Sequence, residues 1–185
     1  MRRLETRLEG PVLIEPEAHG DARGFLCETY RASSFAELGI LDEFVQENHS
    51  RSRRGVLRGM HLQLGDGQAK LMRCARGSVF DVVVDVRRGS PSFGRWEAFE
   101  LNDENMHQLF VPVGFGHGFC VTSETADVIY KLSAYYAPEL ERGFRYDDPD
   151  VGIVWPKLDL IVSERDRAAP ALKALAPELP FDYEG

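Results

Sequence analysis

The middle of the chain runs in short apolar or alternating bursts separated by turn-forming clusters, a pattern that predicts strands rather than helices. Candidate strands cover 44–50, 69–76, 78–87, 94–101, 107–112, 117–122 and 126–136. The separators RGSP (88–91) and NDEN (102–105) carry side chains that bond their own backbone or favour turn dihedrals. Seven strands this closely spaced restrict the chain to an all-β sandwich or barrel. Helix signals lie only at the edges. Ser33 or Ser34 is expected to cap a short helix ending at Gly39, while 163–175 is rich in Ala and Leu but interrupted by Pro170. Residues 177–185 read as a loosely held tail.

With 185 residues, of which 43% are hydrophobic, the chain has the material for one substantial core, and no linker or repeat divides it. Its formal net charge of −8 argues against nucleic acid as a partner but leaves room for an anionic small ligand where a few Arg and Lys converge. Cys27, Cys74 and Cys120 are odd in number and lack metal or redox spacing, so a disulfide framework is not expected. Arg2 and Arg3 are followed by Leu4-Glu5-Thr6-Arg7, which supplies no apolar signal region, and no 18-residue apolar stretch occurs. The expectation is a cytoplasmic protein without a membrane partner.

The residues with chemical potential are spread over successive β-segments. RGMHLQ (58–63) brings His61, Lys70 follows, a Pro112, Gly114, His117 turn comes later, and Tyr130 lies in a strand. A base, a cation and a proton donor are what proton abstraction beside a carbonyl requires. An isolated Lys70 can also be a solvated strand residue, and Tyr130 can be a core aromatic with Tyr135 and Tyr136 as rivals. Asp81 and Asp85 sit within an apolar strand, where a structural hydrogen bond is the plain explanation. Gly65-Asp66-Gly67 lacks the glycine fingerprint of a dinucleotide site and the Ser or Thr of a P-loop.

The segment PVGFGHG (112–118) resembles the second motif of the cupin superfamily, whose metal-binding members carry two histidines at i and i+2 with a downstream glutamate in the first motif. Here that pair is His61 and Gln63, and only Asp66 follows, so no metal site is expected. A metal-dependent cupin oxygenase is the alternative in another class. The runs FVQENHS (44–50), GVLRGMHLQ (55–63), QAKLMRCARGSVFDVVVDVRRGSPSFGRW (68–96), QLFVPVGFGHGF (108–119), YYAPELERG (135–143), DDPDVGIVWP (147–156) and SERDRAAP (163–170) together resemble the dTDP-4-dehydrorhamnose 3,5-epimerase family over nearly the whole chain.

This resemblance implies a cupin-like double-stranded β-helix, or jelly roll, with short peripheral helices, in one domain over 1–185. Within it, 1–50 would be an N-terminal dimer-exchange region, 51–140 the barrel core and 141–185 a C-terminal segment. It also implies a cofactor-independent homodimer acting at C3 and C5 of a dTDP-4-keto-6-deoxyhexose in deoxysugar biosynthesis. Relatives in antibiotic-sugar pathways that invert only C3 or only C5 supply a second alternative. By the family's pattern His61 is the base, Asp166 holds its imidazole, Lys70 stabilises the enolate and Tyr130 returns the proton. Gln46 and Asn48 match nucleoside contacts, Arg58 and Arg165 phosphate contacts, and Gln63, His117, Tyr136 and Glu141 further substrate contacts. Arg23, Phe25 and Glu28 match residues that reach the partner subunit's site.

Met60, Leu62 and Gly116 depart from the family's commonest residues, and a wider pocket is expected from them. Strand parity raises a difficulty as well: His61 and Gln63 share a face, and Arg58 falls on the other. A bulge or bend at Gly59 would remove the conflict.

Overall fold

The computed structural model describes residues 1–185. Fourteen strands occur in chain order: β1 (Arg2–Leu4), β2 (Val12–Glu15), β3 (Ala18–Asp21), β4 (Gly24–Cys27), β5 (Gln46–Arg53), β6 (Val56–Gln63), β7 (Lys70–Arg76), β8 (Ser78–Asp85), β9 (Trp96–Asn102), β10 (Gln108–Val111), β11 (Phe115–Val121), β12 (Thr125–Leu132), β13 (Glu141–Gly143) and β14 (Ile161–Val162). The helices are single short pieces: α1 (Ala32–Glu37), α2 (Glu164–Arg167) and α3 (Leu172–Leu175), the last running into a 3₁₀ turn at Ala176–Glu178. One sheet has the order β1-β2-β10-β7-β12-β5. The facing sheet has the order β13-β6-β11-β8-β9, with β14 parallel to β6, and β3-β4 form a separate hairpin. Two such sheets facing each other across a shared core make the expected jelly roll.

Period two explains how one strand serves two cores. In β8, Val79 and Val83 point between the sheets into a cluster with Met72, Leu101, Leu109, Phe119 and Val128. Val82 and Val84 point the other way, against Met60, Phe144, Leu172, Leu175, Leu179 and Phe181. Both faces are covered, so SVFDVVVD carries apolar side chains on both faces instead of alternating. Behind the first sheet, Ile14, Leu71 and Phe110 pack on Phe35 of α1 and on Ile40.

All seven candidate strands are present, within a few residues at each end. Two local expectations are corrected. The α1 cap position is Arg31, whose side chain makes no capping bond, and Ser33 and Ser34 lie inside the helix. The 177–185 segment is held down: Leu179 and Phe181 are buried, Arg88 N–H donates to the Phe181 carbonyl at 2.8 Å, and the Tyr183 hydroxyl donates to Glu9. Two apolar side chains in a polar tail are enough to dock it on the back of the second sheet.

The β6 strand carries the irregularity that its parity demanded. Against β11, His61 stands opposite His117 and Arg58 opposite Phe119, so three steps on β6 span two on β11. The extra residue is a bulge, and it turns Arg58 and His61 to the same side. Gly59 has φ +141°, and a Cβ there would lie 2.5 Å from the Gly118 Cα and 3.1 Å from the His117 carbonyl oxygen. Only glycine allows the two strands to pass this closely.

Candidate active site

One cavity of about 750 Å³ opens between the sheets and falls in the size range of small-molecule sites. One wall comes from the second sheet: Arg58 and His61 of β6, His117 of β11, Glu141 of β13, and Asp166 and Arg165 of α2. The opposite wall comes from the first: Gln46, Asn48 and Ser50 of β5, Lys70 and Met72 of β7, and Tyr130 of β12. Strand pairing sets Tyr130 between Asn48 and Met72. Tyr136 closes the rim.

His61 is gripped by Asp166, its Nε2 lying 2.7 Å from the carboxylate. Asp166 owes its position to a helix cap, because Ser163 accepts its backbone N–H at 3.1 Å and thereby starts α2. Burial would raise the Asp166 carboxyl, but the hydrogen bond and charge of His61, with the Gly59 N–H and Ser163, hold it below the ordinary aspartate value. A carboxylate can only accept, so Nε2 carries the proton and the lone pair of the neutral imidazole is on Nδ1.

Lys70 faces this dyad from across the cavity. Its burial lowers the ammonium to about 8, with partial compensation from the charges of Glu141 and Asp81. His117 gives Nε2 to Asp81 at 2.8 Å, and its pKa is lowered, first by burial and further by Lys70 and His61, against the pull of Asp81. At the rim, the Tyr136 hydroxyl donates to Glu141 at 2.6 Å, and the Arg165 guanidinium reaches the same oxygen at 2.8 Å. Burial opposes ionisation of Glu141, yet Arg165, Tyr136 and His61 together bring its carboxyl below the ordinary value. Arg58 donates through Nε and Nη2 to Ser52 Oγ at 3.2 and 3.1 Å. Gln46 donates to Asn48 and accepts the Tyr136 N–H, which ties the β5 wall to the rim. Thus three cations converge in a chain of net charge −8.

Eleven of the fifteen sequence-selected residues line this cavity: His61, Lys70, Tyr130, Asp166, Gln46, Asn48, Arg58, His117, Tyr136, Glu141 and Arg165. Gln63 does not. It is buried behind the wall, donates to the Tyr135 carbonyl at 3.2 Å and accepts the Ala137 N–H at 3.0 Å, so it anchors the rim loop. Arg23, Phe25 and Glu28 are also elsewhere, on and just after the β3-β4 hairpin, where Arg23 pairs with Asp21 and Glu28 with Arg31. Tyr135 is 72% exposed and outside the cavity, which separates it from Tyr130.

The wider pocket expected from Met60, Leu62 and Gly116 is not found. Met60 and Leu62 belong to the cluster behind the sheet, and a Cβ on Gly116 would meet Phe144 at 2.6 Å, away from the cavity. The residues missed from sequence were Ser50 and Ser52, which extend the Gln46, Asn48 row at period two, and Ser163, three residues before Asp166 in a capping arrangement. No three His, Cys, Asp or Glu side chains are grouped to hold a metal ion, and the Nε2 atoms of His61 and His117 are each committed to a carboxylate. No helix is long and apolar enough to cross a membrane.

A proton acceptor on one wall and a phenol with an ammonium on the other can deprotonate a carbon beside a carbonyl and reprotonate it from the far side. The family model described as dTDP-4-dehydrorhamnose 3,5-epimerase matches residues 5–174. A dTDP-4-dehydrorhamnose 3,5-epimerase of Pseudomonas aeruginosa is 49% identical over 170 residues, covering 90% of this chain and 94% of its own. The crystal structure of dTDP-6-deoxy-D-glucose-3,5-epimerase from Legionella pneumophila, in complex with dTDP-4-keto-L-rhamnose, superposes with a TM-score of 0.96 at 44% identity, covering 100% of this chain and 99% of that one. ChmJ, a 3'-monoepimerase from Streptomyces bikiniensis crystallised with dTDP-quinovose, gives 0.88 at 38% identity over 94% of this chain and 89% of its own. Matched over nearly its full length by this family model and by these sugar-nucleotide epimerases, the chain belongs to the dTDP-4-dehydrorhamnose 3,5-epimerase family and is an isomerase.

Proposed function

We propose that this protein epimerises a dTDP-4-keto-6-deoxyhexose at both C3 and C5, using side chains alone, in deoxysugar biosynthesis. The observation that carries this reading is the His61–Asp166 dyad standing across one cavity from Lys70 and Tyr130. The C4 ketone acidifies the hydrogens on both neighbouring carbons, yet they remain far weaker acids than an imidazolium of ordinary pKa about 6.5. His61 Nδ1 takes one such proton, and the electron pair moves onto the C4 oxygen. The Lys70 ammonium stabilises that oxyanion. Tyr130 then gives its phenolic proton to the opposite face of the carbon, which inverts it. The proton on His61 and the charge on Tyr130 are reset by exchange with water.

The nucleotide half of the substrate suits the other end of the cavity. Gln46 and Asn48 face the nucleoside, Tyr136 offers a ring at the rim, and Arg58 and Arg165 meet the diphosphate, for which the guanidinium fork is well shaped. His117 and Glu141 border the sugar. The working form is a homodimer in which Arg23, Phe25 and Glu28 complete the partner's cavity. Support comes from the projecting hairpin, where Phe25 and Leu26 are 66% and 74% exposed, more apolar surface than an isolated turn carries without a partner.

Incubating dTDP-4-keto-6-deoxyglucose with the protein in heavy water, with and without a chelator, tests the reading. Proton NMR signals at C3 and C5 should both disappear at rates indifferent to the chelator. Loss of one signal alone would assign inversion at a single centre. Chelator-sensitive loss would mean that the metal-free chemistry is wrong.

Two further outcomes follow from the site. Asp166→Asn should slow exchange by about tenfold to a thousandfold without abolishing it, because the base remains while its tautomer is no longer fixed. If exchange in Asp166→Asn equals wild type, Asp166 does not orient His61. Lys70 acts only when protonated, and kcat/KM reports the free enzyme. Its lowered pKa therefore predicts that kcat/KM declines as pH rises through about 8, well below the ordinary lysine value of 10.5. In Lys70→Arg, whose cation does not titrate in this range, that decline should disappear from the pH profile.

A further inference from the structure

Asp81 transfers no proton and touches no substrate in the epimerase chemistry, and the apolar run around it makes its presence expensive. It sits in the middle of β8, fully buried, on the same strand face as Val79 and Val83. One carboxylate oxygen receives His117 Nε2 at 2.8 Å. The other, Oδ2, is buried and has no hydrogen-bond partner. A buried acceptor left unpaired in a folded core is destabilising, so structural bonding alone does not account for this residue. Asp85, four residues on, makes the contrast plain: Arg87, Ser90 and Ser92 all bond to its carboxylate.

We infer that Asp81 is a positioning residue of the reaction centre: it fixes His117 as the neutral Nε2–H tautomer, and its buried carboxylate adds to that of Glu141 in favouring Lys70 as an ammonium ion. The inference deepens the epimerase reading and rests on it for the use made of Lys70. The two halves belong together. Because Asp81 can only accept, His117 presents Nδ1 as an acceptor, and a neutral ring adds no second positive charge beside Lys70. The charge of the fully buried Asp81 acts on Lys70 in the same direction as that of Glu141, and a carboxylate out of water is screened less than an exposed one.

The other groups bearing on Lys70 come from several elements. Glu141 on β13 adds negative charge, and His61 on β6, His117 on β11 and Tyr130 on β12 share the cavity with it. Strands β9 and β10 contribute Phe99, Leu101, Leu109 and Val111, which carry no charge. Glu141 is already shared between Arg165 and Tyr136 at the rim. Asp81 is the carboxylate whose charge no cationic side chain has claimed.

The test compares wild type with Asp81→Asn by pulse acetylation of Lys70 across pH, read by mass spectrometry. The midpoint for Lys70 should fall by roughly half a pH unit or more in Asp81→Asn, and the alkaline limb of kcat/KM should fall with it. Affinity for dTDP should be unchanged. An unchanged Lys70 midpoint would overturn the inference, whatever happens to the rate. Nitrogen-15 NMR of His117 in the wild-type protein gives a second reading that does not depend on a folded variant. The Nε2–H neutral tautomer is expected at pH 7.5, and an imidazolium or an Nδ1–H ring there would overturn the inference equally. Neither readout needs turnover. An inactive wild type with the expected Lys70 and His117 behaviour would therefore count against the epimerase reading and not against Asp81.

Discussion

His61→Ala should abolish deuterium uptake at C3 and at C5 together, a loss of about 10²–10⁴ in rate from removal of the base. Both positions are lost because they flank the same ketone and only one wall of the cavity carries a histidine with an oriented, exposed lone pair. His117 is no substitute: it is buried, and its pKa is lowered by that burial. The side chain of His61 is 27% exposed to the cavity, so little packing is lost. The stability cost comes instead from Asp166, left without its main partner, at about 1–3 kcal/mol. His61→Asn, which keeps a donor near Asp166, separates the two effects, since it should be equally inactive but more stable to heat. Exchange surviving at either carbon in both variants would require a second base and would undo the assignment.

Tyr130→Phe should break a different step. If abstraction takes place at one wall and redelivery at the other, as proposed, losing the phenolic hydroxyl should reduce inversion by about 10²–10⁴ while solvent exchange falls much less. In Tyr130→Phe the carbanion is reprotonated from the His61 side, which introduces deuterium with retention. Coupling constants of the recovered sugar separate the two events in a single experiment. The ring packs partly against Met72 and Val128 in the inter-sheet core, and phenylalanine preserves that contact, so the fold should be unaffected. Equal loss of exchange and inversion would mean that the hydroxyl takes part in abstraction, and the division of labour between His61 and Tyr130 would fall.

Much of the site was legible because its residues lie in continuous motifs. His61, Lys70, His117, Tyr130 and Asp166 all face one cavity, as do the nucleotide-facing candidates Gln46, Asn48, Arg58 and Arg165. Gln63 does not reach the cavity, because parity puts it on the face of His61 but says nothing about depth. Its amide ended in hydrogen bonds to the 135–137 backbone, where a buried polar group finds partners. Arg23, Phe25 and Glu28 cannot be judged by this cavity, since their expected place is against a second copy of the chain. Met60, Leu62 and Gly116 looked like pocket residues by adjacency alone. Neighbours in sequence point to opposite faces of a strand, and these three point into the rear core.

The sequence by itself determined that the chain is built of strands, where half of them run and which side chains carry groups with proton chemistry. Those properties depend on periodicity, turn chemistry and functional groups within windows of a few residues. Tertiary structure decided the rest. It set the sheet order β13-β6-β11-β8-β9 against β1-β2-β10-β7-β12-β5, and with it the opposition of His61 to Tyr130 across a shared cavity. It also decided that the Gly59 bulge turns Arg58 to the side of His61, that 177–185 docks, and that Asp81 keeps one oxygen unpartnered. Each of these is a contact between residues far apart in the chain, fixed by burial and close packing over the whole core and not by any local preference.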